Sequence, residues 1–272
     1  MAGKLGIIAG GGELPRMLIE ACRSSGREFF VFALKNHADS PVIEEVPHAW
    51  LRLGAAGEAL RLANEYGIEE IVMGGRVKRP SLAGLRPDWR AFKFVFRVMG
   101  KALGDDGLLR CVIDEIESEG LKVVAPDSIL TDLKPEKGPL GRHGPDQSAE
   151  RDIDRGVAVL NALSSADVGQ AVVVQDGLVL GIEAIEGTDA LLQRCGELRR
   201  DGDGGVLIKL QKRNQEERVD LPTIGPETVR RAAAAGLRGI AVQADGSLVL
   251  NREETVRLAD ESGLFVIAID TA

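Results

Sequence analysis

The sequence predicts an α/β protein in two parts: a parallel-sheet domain, then a second α/β domain that contains hairpins. Three observations carry that expectation. From Leu5 to Ala125 short apolar runs alternate with helical segments, the order of a parallel sheet whose strands are joined by crossover helices. Thr131–Ser148 follows with three prolines, three glycines and no apolar periodicity, the composition of an interdomain linker. Beyond it, Gln175-Asp176-Gly177 stands between two apolar runs, and an Asp-Gly pair there signals a hairpin turn. The expected division is residues 1–130, a linker over 131–148, and residues 149–272.

In the first domain, Leu5–Ala9 reads as a strand, followed by glycines and the helical pattern Leu14–Ser24. Phe29–Leu34, Trp50–Leu53 and Ile68–Met73 are the next strands, with a helix over Glu58–Tyr66. Ala91–Leu103 and Gly107–Glu119 read as helices, and Val123–Ala125 as a last short strand. In the second domain Ala149–Leu163 is a helix, and Ala171–Val174 and Leu178–Glu183 are the hairpin strands. A helix over Ala190–Leu198, a strand over Val206–Lys209 and a helix over Pro226–Ala235 follow. Asp245-Gly246 predicts a second hairpin between Gly239–Gln243 and Ser247–Leu250. Glu253–Ser262 and Leu264–Ile269 end the pattern as helix and strand.

With 272 residues, 44% of them hydrophobic and 28% charged, the chain has the makings of a soluble globular protein with a large core. Aromatics at 4% argue against a base-stacking platform, and a net charge of −8 against a broad basic face, so no nucleic-acid partner is expected. Cys22, Cys111 and Cys195 are odd in number and far apart, which disfavours a disulfide framework or a zinc site and points to a reducing cytoplasm. The N-terminus lacks the pattern of a signal peptide, and no apolar run is long enough to span a bilayer.

Several segments could carry chemistry. Gly10-Gly11-Gly12 lies between the first strand and the first helix, where bare N–H groups can face a phosphate. Pro15 stands where the dinucleotide fingerprint has its third glycine, and no acidic residue ends the second strand. That disfavours NAD or FAD and leaves another nucleotide or phosphate, or a turn needed only for chain geometry. Gly74-Gly75-Arg76 follows the fourth strand at the same sheet edge, and Arg76 could pair with a phosphate or be solvated. Asp105 and Asp106, in Gly104-Asp105-Asp106-Gly107, could hold Mg²⁺ or cap the helix that follows. Thr188, in Glu186-Gly187-Thr188-Asp189, could be an N-cap, a phosphate contact, or both. Phe92, Phe94 and Phe96 share a helical segment that reads as core or dimer helix, with an acyl-chain lining as the alternative. His37, His48 and His143 show no metal-ligand spacing, and the nucleophile elbow of serine hydrolases is absent. Asp220, in Arg218-Val219-Asp220-Leu221-Pro222-Thr223-Ile224-Gly225, is a carboxylate at the mouth of a turn, too far ahead of Pro226 to cap its helix. Near phosphates it can ligate Mg²⁺ or orient a water.

Taken in order, Gly10-Gly11-Gly12, Gly104-Asp105-Asp106, Gly169-Gln170-Ala171-Val172-Val173, Glu186-Gly187-Thr188-Asp189 and Arg218–Gly225 resemble the LpxI type of UDP-2,3-diacylglucosamine pyrophosphatase. The resemblance runs from Leu5 to Asp270. It implies a Rossmann-like N-terminal domain, a C-terminal catalytic α/β domain and a ligand between them. It implies a homodimeric bacterial enzyme of lipid A biosynthesis, peripheral on the cytoplasmic face of the inner membrane. The implied reaction converts a lipid-linked UDP-sugar, UDP-2,3-diacylglucosamine, to UMP and 2,3-diacylglucosamine 1-phosphate (lipid X). Water attacks the α-phosphorus with a divalent metal, Mg²⁺, as cofactor. The family's essential aspartate falls on Asp220, which is also the candidate metal ligand. Its substrate contacts fall on Gly12, Glu13, Gly75, Gly104, Asp105, Val123, Gln170, Gly187 and Thr188. The alternative is a non-catalytic regulator that binds a nucleotide-sugar or lipid, since no activated Ser or Cys is recognisable.

Overall fold

The computed structural model describes residues 3–38, 41–77, 88–89, 91–92, 105–212 and 215–271, with backbone alone at 105 and 106. Two compact units divide the chain: Met1–Thr131 with Glu216–Val219, and Asp132–Gln215 with Asp220–Ala272.

In the first unit β1 (Leu5–Ala9), β2 (Phe29–Leu34), β3 (His48–Leu51), β4 (Glu70–Gly74) and β5 (Lys122–Val124) form one sheet in the order β3-β2-β1-β4-β5. Every neighbouring pair is parallel. Parallel strands covered on both faces read as unbroken apolar runs, as β1 and β2 do. Helices α1 (Glu13–Ser25), α2 (Ala56–Glu65) and α3 (Asp105–Ser118) belong to this unit. Leu14, Leu18, Ile19 and Cys22 make the buried stripe of α1 at helical spacing. Phe30, Phe32, Leu51, Ala63, Ile68, Ile71 and Leu121 form a core cluster. Arg218, from the short segment grouped with this unit, donates to Glu117 of α3 at 2.8 Å.

The second unit is built on a six-stranded mixed sheet in the order β6-β13-β11-β9-β7-β8. Its strands are β6 (Gly138–Pro139), β7 (Ala171–Gln175), β8 (Leu178–Ile182), β9 (Val206–Lys209), β11 (Gly239–Gln243) and β13 (Phe265–Ile269). β9, β11 and β13 run parallel, while β6, β7 and β8 pair antiparallel with their neighbours. Alternation along β7 sends its side chains to two cores. Val172 and Val174 pack with Ala149, Ile153 and Leu160 of α4 (Gln147–Ser164). Ala171 and Val173 share the other core with residues of α5 (Gly187–Glu197), α6 (Pro226–Ala234) and α7 (Arg252–Glu261).

Three expectations change here. Thr131–Ser148 is no free tether: from Asp132 on it groups with the second unit. Its Gly138–Pro139 is the edge strand beside β13, a place where a proline removes no needed donor. Asp245-Gly246 does not make a hairpin. β12 (Leu248–Val249) instead pairs in parallel with β10 (Thr223–Ile224). The type I′ turn of a tight hairpin needs positive φ at both central residues. Asp176 (φ 51°) and Gly177 (φ 76°) comply, and β7–β8 is the predicted hairpin, whereas Asp245 (φ 54°) has no positive-φ partner in Gly246. The carboxylate of Asp152, buried in α4, accepts from the Asp176 and Gly177 N–H groups at 3.1 and 2.7 Å and holds that turn. Finally, Thr188 is not an N-cap: Glu186 holds that position and Thr188 is the second residue of α5.

Asp146 caps α4 by accepting the Ala149 N–H at 2.8 Å. That bond and the Arg238 guanidinium hold its carboxyl down at about 2, against an ordinary 3.8. A folded-state pKa below the unfolded one contributes stability that is present above the unfolded value and lost as pH falls through the folded one. The melting temperature of wild type is therefore expected to exceed that of Asp146→Ala near neutral pH, with the gap shrinking from pH 4 and closing near pH 2. Thermal melts across that range check it.

Candidate functional site

The candidate residues gather in two places, one in each unit. In the first, strand order reverses between β1 and β4, and ligands of open α/β sheets bind beyond the carboxyl ends at such a point. Gly12, Glu13 and Gly75 lie there. Two backbone hydrogen bonds join the loops: Gly11 N–H to Arg76 O at 3.0 Å and Arg76 N–H to Gly11 O at 2.8 Å. The Gly10 N–H is likewise taken by Gly74 O at 2.8 Å. Two donors of the triple-glycine turn are thus spent inside the protein.

The glycines have packing reasons to be there. A Cβ at Gly75 would lie 2.6 Å from Gly11 O, at φ 93°. Gly12 adopts φ 94°, ψ −167°, a region essentially confined to glycine. Gly75→Ala is expected to cost about 2 kcal/mol and to lower the melting temperature by roughly 4–8 °C, read by calorimetry.

Glu13 opens α1 and its carboxylate bonds Arg16 at 3.0 Å. Val123 lies in β5 opposite Ile71 and is 3% exposed. Asp105 starts α3, with its side chain outside the described residues, as are Gly104, Phe94 and Phe96. Trp89 and Phe92 stack at 5.8 Å and are exposed.

The second unit brings Gln170, Gly187, Thr188 and Asp220 together through a closed ring of polar contacts. Thr188 Oγ1 donates to Glu183 Oε1 at 2.7 Å, and the Gln170 N–H donates to Glu183 Oε2 at 3.2 Å. Gln215 Nε2 donates to Gln170 Oε1 at 3.1 Å and to Asp220 Oδ2 at 2.6 Å. Three residues beyond Asp220, the Thr223 carbonyl accepts from Lys209 Nζ at 3.2 Å. The same ammonium donates to Thr188 Oγ1 at 2.9 Å, which closes the ring. Gly187, at φ 80°, opens α5, and a Cβ there would meet nothing within 4 Å. The first-turn N–H groups of α5 form a helix N-terminus suited to an anion.

The ring has two layers. Gln170, Thr188 and Asp220, expected from the sequence, are half-buried. Glu183, Lys209 and Gln215, which were missed, are 6%, 4% and 5% exposed. A buried ammonium and carboxylate are tolerable only when paired and hydrogen-bonded, and the Thr188 hydroxyl bridges these two. The Gln215 amide is likewise in use on its oxygen, which accepts the Lys212 N–H at 2.9 Å. Lys212 Nζ in turn pairs with Asp167 at 2.5 Å. One signal for Lys209 stood in the sequence: it ends the apolar strand Val206–Lys209, at the end of the sheet where α/β proteins place ligands.

Other chemistries fit less well. Burial pushes the thiols of Cys22 and Cys195 up, away from nucleophilic thiolates. His48 Nδ1 is engaged by the Val46 carbonyl at 2.8 Å. Among the described residues no group of three or more His, Cys, Asp or Glu is placed to hold a metal ion. What the second cluster offers a cation is the Asp220 carboxylate. Mg²⁺ accepts one or two protein carboxylates when phosphate oxygens and waters complete its shell, so this donor set fits an ion that arrives with a diphosphate.

A model of the LpxI N-terminal domain matches residues 4–133, and one of the LpxI C-terminal domain matches residues 136–267. The chain is 40% identical over 274 residues to UDP-2,3-diacylglucosamine pyrophosphatase LpxI of Caulobacter vibrioides, covering 98% of each protein. The solved structure of CobK precorrin-6A reductase aligns with 100% of this chain and 89% of its own, at a TM-score of 0.36 and 13% identity.

Proposed function

The chain belongs to the LpxI family of UDP-2,3-diacylglucosamine pyrophosphatases, and from that premise we propose that it hydrolyses UDP-2,3-diacylglucosamine by water attack on the α-phosphorus, with Asp220 as the essential carboxylate. The observation that carries this is the Asp220 side chain fixed by the buried Gln215 amide at 2.6 Å, within the ring that reaches the N-terminus of α5.

Water forms the new O–P bond at the α-phosphorus. The bond to the bridging oxygen breaks, UMP keeps the α-phosphoryl group, and 2,3-diacylglucosamine 1-phosphate leaves. Asp220 orients the water and takes its proton, a role worth about 10²–10⁴-fold in rate for a positioned base. The α5 N-terminus holds the diphosphate where its charge grows. When bound, Mg²⁺ would neutralise phosphoryl charge, and Asp220 is the residue of this cluster that would hold it. No activated Ser, Cys or His is required, in keeping with the buried thiols of Cys22 and Cys195.

The enzyme's place in lipid A biosynthesis, on the cytoplasmic face of the inner membrane, and a homodimeric state belong to the same proposal. Among the described residues no helix is long and apolar enough to cross a membrane, so attachment would run through the substrate's acyl chains and exposed apolar side chains such as Trp89 and Phe92. Incubation with labelled UDP-2,3-diacylglucosamine, followed by thin-layer chromatography, tests the reaction. Metal-dependent appearance of UMP and lipid X is expected; binding without conversion would leave a regulator instead.

A further inference from the structure

Lys209 has no role in the reaction as described so far. It is 4% exposed, and burying an ammonium demands compensation. The compensation is specific: Nζ donates to the Thr188 hydroxyl at 2.9 Å and the Thr223 carbonyl at 3.2 Å. Thr188 passes the interaction to the buried carboxylate of Glu183 at 2.7 Å. One cation thereby fixes two segments on which the site depends, the first turn of α5 and the chain that carries Asp220. Both lie on loops or helix starts, which central strands do not position by themselves. Lys209 ends β9, a strand flanked by β7 and β11, so its backbone is among the best anchored in the unit.

We propose that Lys209 is a positioning residue for the hydrolysis, its ammonium setting the Thr188 hydroxyl and the Asp220 segment at a fixed separation. It acts through those two partners and makes no contact with the reacting atoms. The proposal rests on the pyrophosphatase reading. It predicts that loss of the ammonium lowers kcat more than it raises KM, because the two segments then sample separations at which water and phosphorus are out of line. Misplacement of about 1 Å costs on the order of 10²-fold in rate.

The test measures kcat, KM and melting temperature for wild type, Lys209→Met, Thr188→Val and the double variant, with UDP-2,3-diacylglucosamine and Mg²⁺. Asp152→Asn serves as a stability control, since Asp152 holds the β7–β8 turn and has no part in the ring. Lys209→Met is expected to lose at least tenfold in kcat with KM changed less than threefold. Asp152→Asn should melt lower yet keep its kcat. Residues acting as one unit are non-additive, so the double variant should fall within about threefold of the worse single one. Should Lys209→Met fail to fold, Lys209→Gln, which removes the charge and keeps a shorter NH₂ donor, takes its place with the same expectation. A kcat within threefold of wild type, or losses at Lys209 and Thr188 that multiply in full, would overturn the positioning role. Wild type that releases no UMP would instead overturn the function on which the proposal rests.

Discussion

Asp220→Ala is expected to lose at least about 10³-fold in UMP release with Mg²⁺ and substrate saturating, the upper half of what a positioned base contributes. The expected stability change is small by comparison. Alanine leaves one N–H of the Gln215 amide, now paired with Asp220 at 2.6 Å, without an acceptor. An unsatisfied buried donor costs about 1–3 kcal/mol, and each kcal/mol lowers the melting temperature by roughly 2–4 °C at this size. Asp220→Asn separates charge from hydrogen bonding. Its side-chain oxygen still accepts from Gln215, so the melting temperature should stay near that of wild type. The carboxylate proposed to take the proton and face the cation is gone, so activity should fall about as far as in the alanine variant. Near wild-type turnover in either variant would remove Asp220 from the mechanism. If Asp220→Asn were as destabilised as Asp220→Ala, the Gln215 contact would carry less than assigned to it.

The architecture was legible where local chemistry and tertiary structure agree. Strands β1 and β2 are apolar runs because parallel strands are covered on both faces. The Asp176-Gly177 turn was legible because both residues adopt the φ that its type requires. Asp245-Gly246 carries the same letters and a different backbone, and only the tertiary pairing of β11 with β9 and β13 decides that. The triple glycine shows the same limit. Its sequence suggests phosphate binding, yet much of its demand for glycine comes from Arg76, whose carbonyl would lie 2.7 Å from a Cβ at Gly10. That neighbour is distant in the chain and leaves no local mark.

The site divides along the same line. Gln170, Thr188 and Asp220 stand in blocks that resemble a known family, so the sequence displays them. Glu183, Lys209 and Gln215 support them from below. Each bonds at least one ring partner distant in sequence, as Lys209 does with Thr188 and Gln215 with Gln170. Hydrogen bonds between residues so far apart have no spacing that a sequence displays. A glutamine in particular has no composition signal for burial, because most are solvated. Its importance rests on geometry: one amide serving three partners.

Gln215→Leu is the substitution that isolates this geometry. Leucine approximates the volume and removes every side-chain bond. Asp220 loses its 2.6 Å donor, Gln170 Oε1 its donor at 3.1 Å, and the Lys212 N–H its acceptor at 2.9 Å. The Asp220 carboxylate keeps its charge but not its aim. Because orientation enters the rate through alignment of water and phosphorus, kcat is expected to fall by about 10–100-fold, less than for loss of Asp220 itself. KM should move little, since Gly187 and the α5 N-terminus, the proposed hold on the diphosphate, are left in place. Gln215→Glu should do worse, as it sets a second carboxylate against Asp220 at a contact that is now 2.6 Å. Like charges at such a distance oppose each other's ionisation. In an Asp220→Ala background neither change at Gln215 should lower activity further, because the residue acts only by aiming a carboxylate that is no longer there. Steady-state UMP release for the four variants measures this. A further tenfold loss in the Asp220→Ala background would mean that Gln215 meets the substrate itself, and its place would then be in the half-buried layer with Thr188.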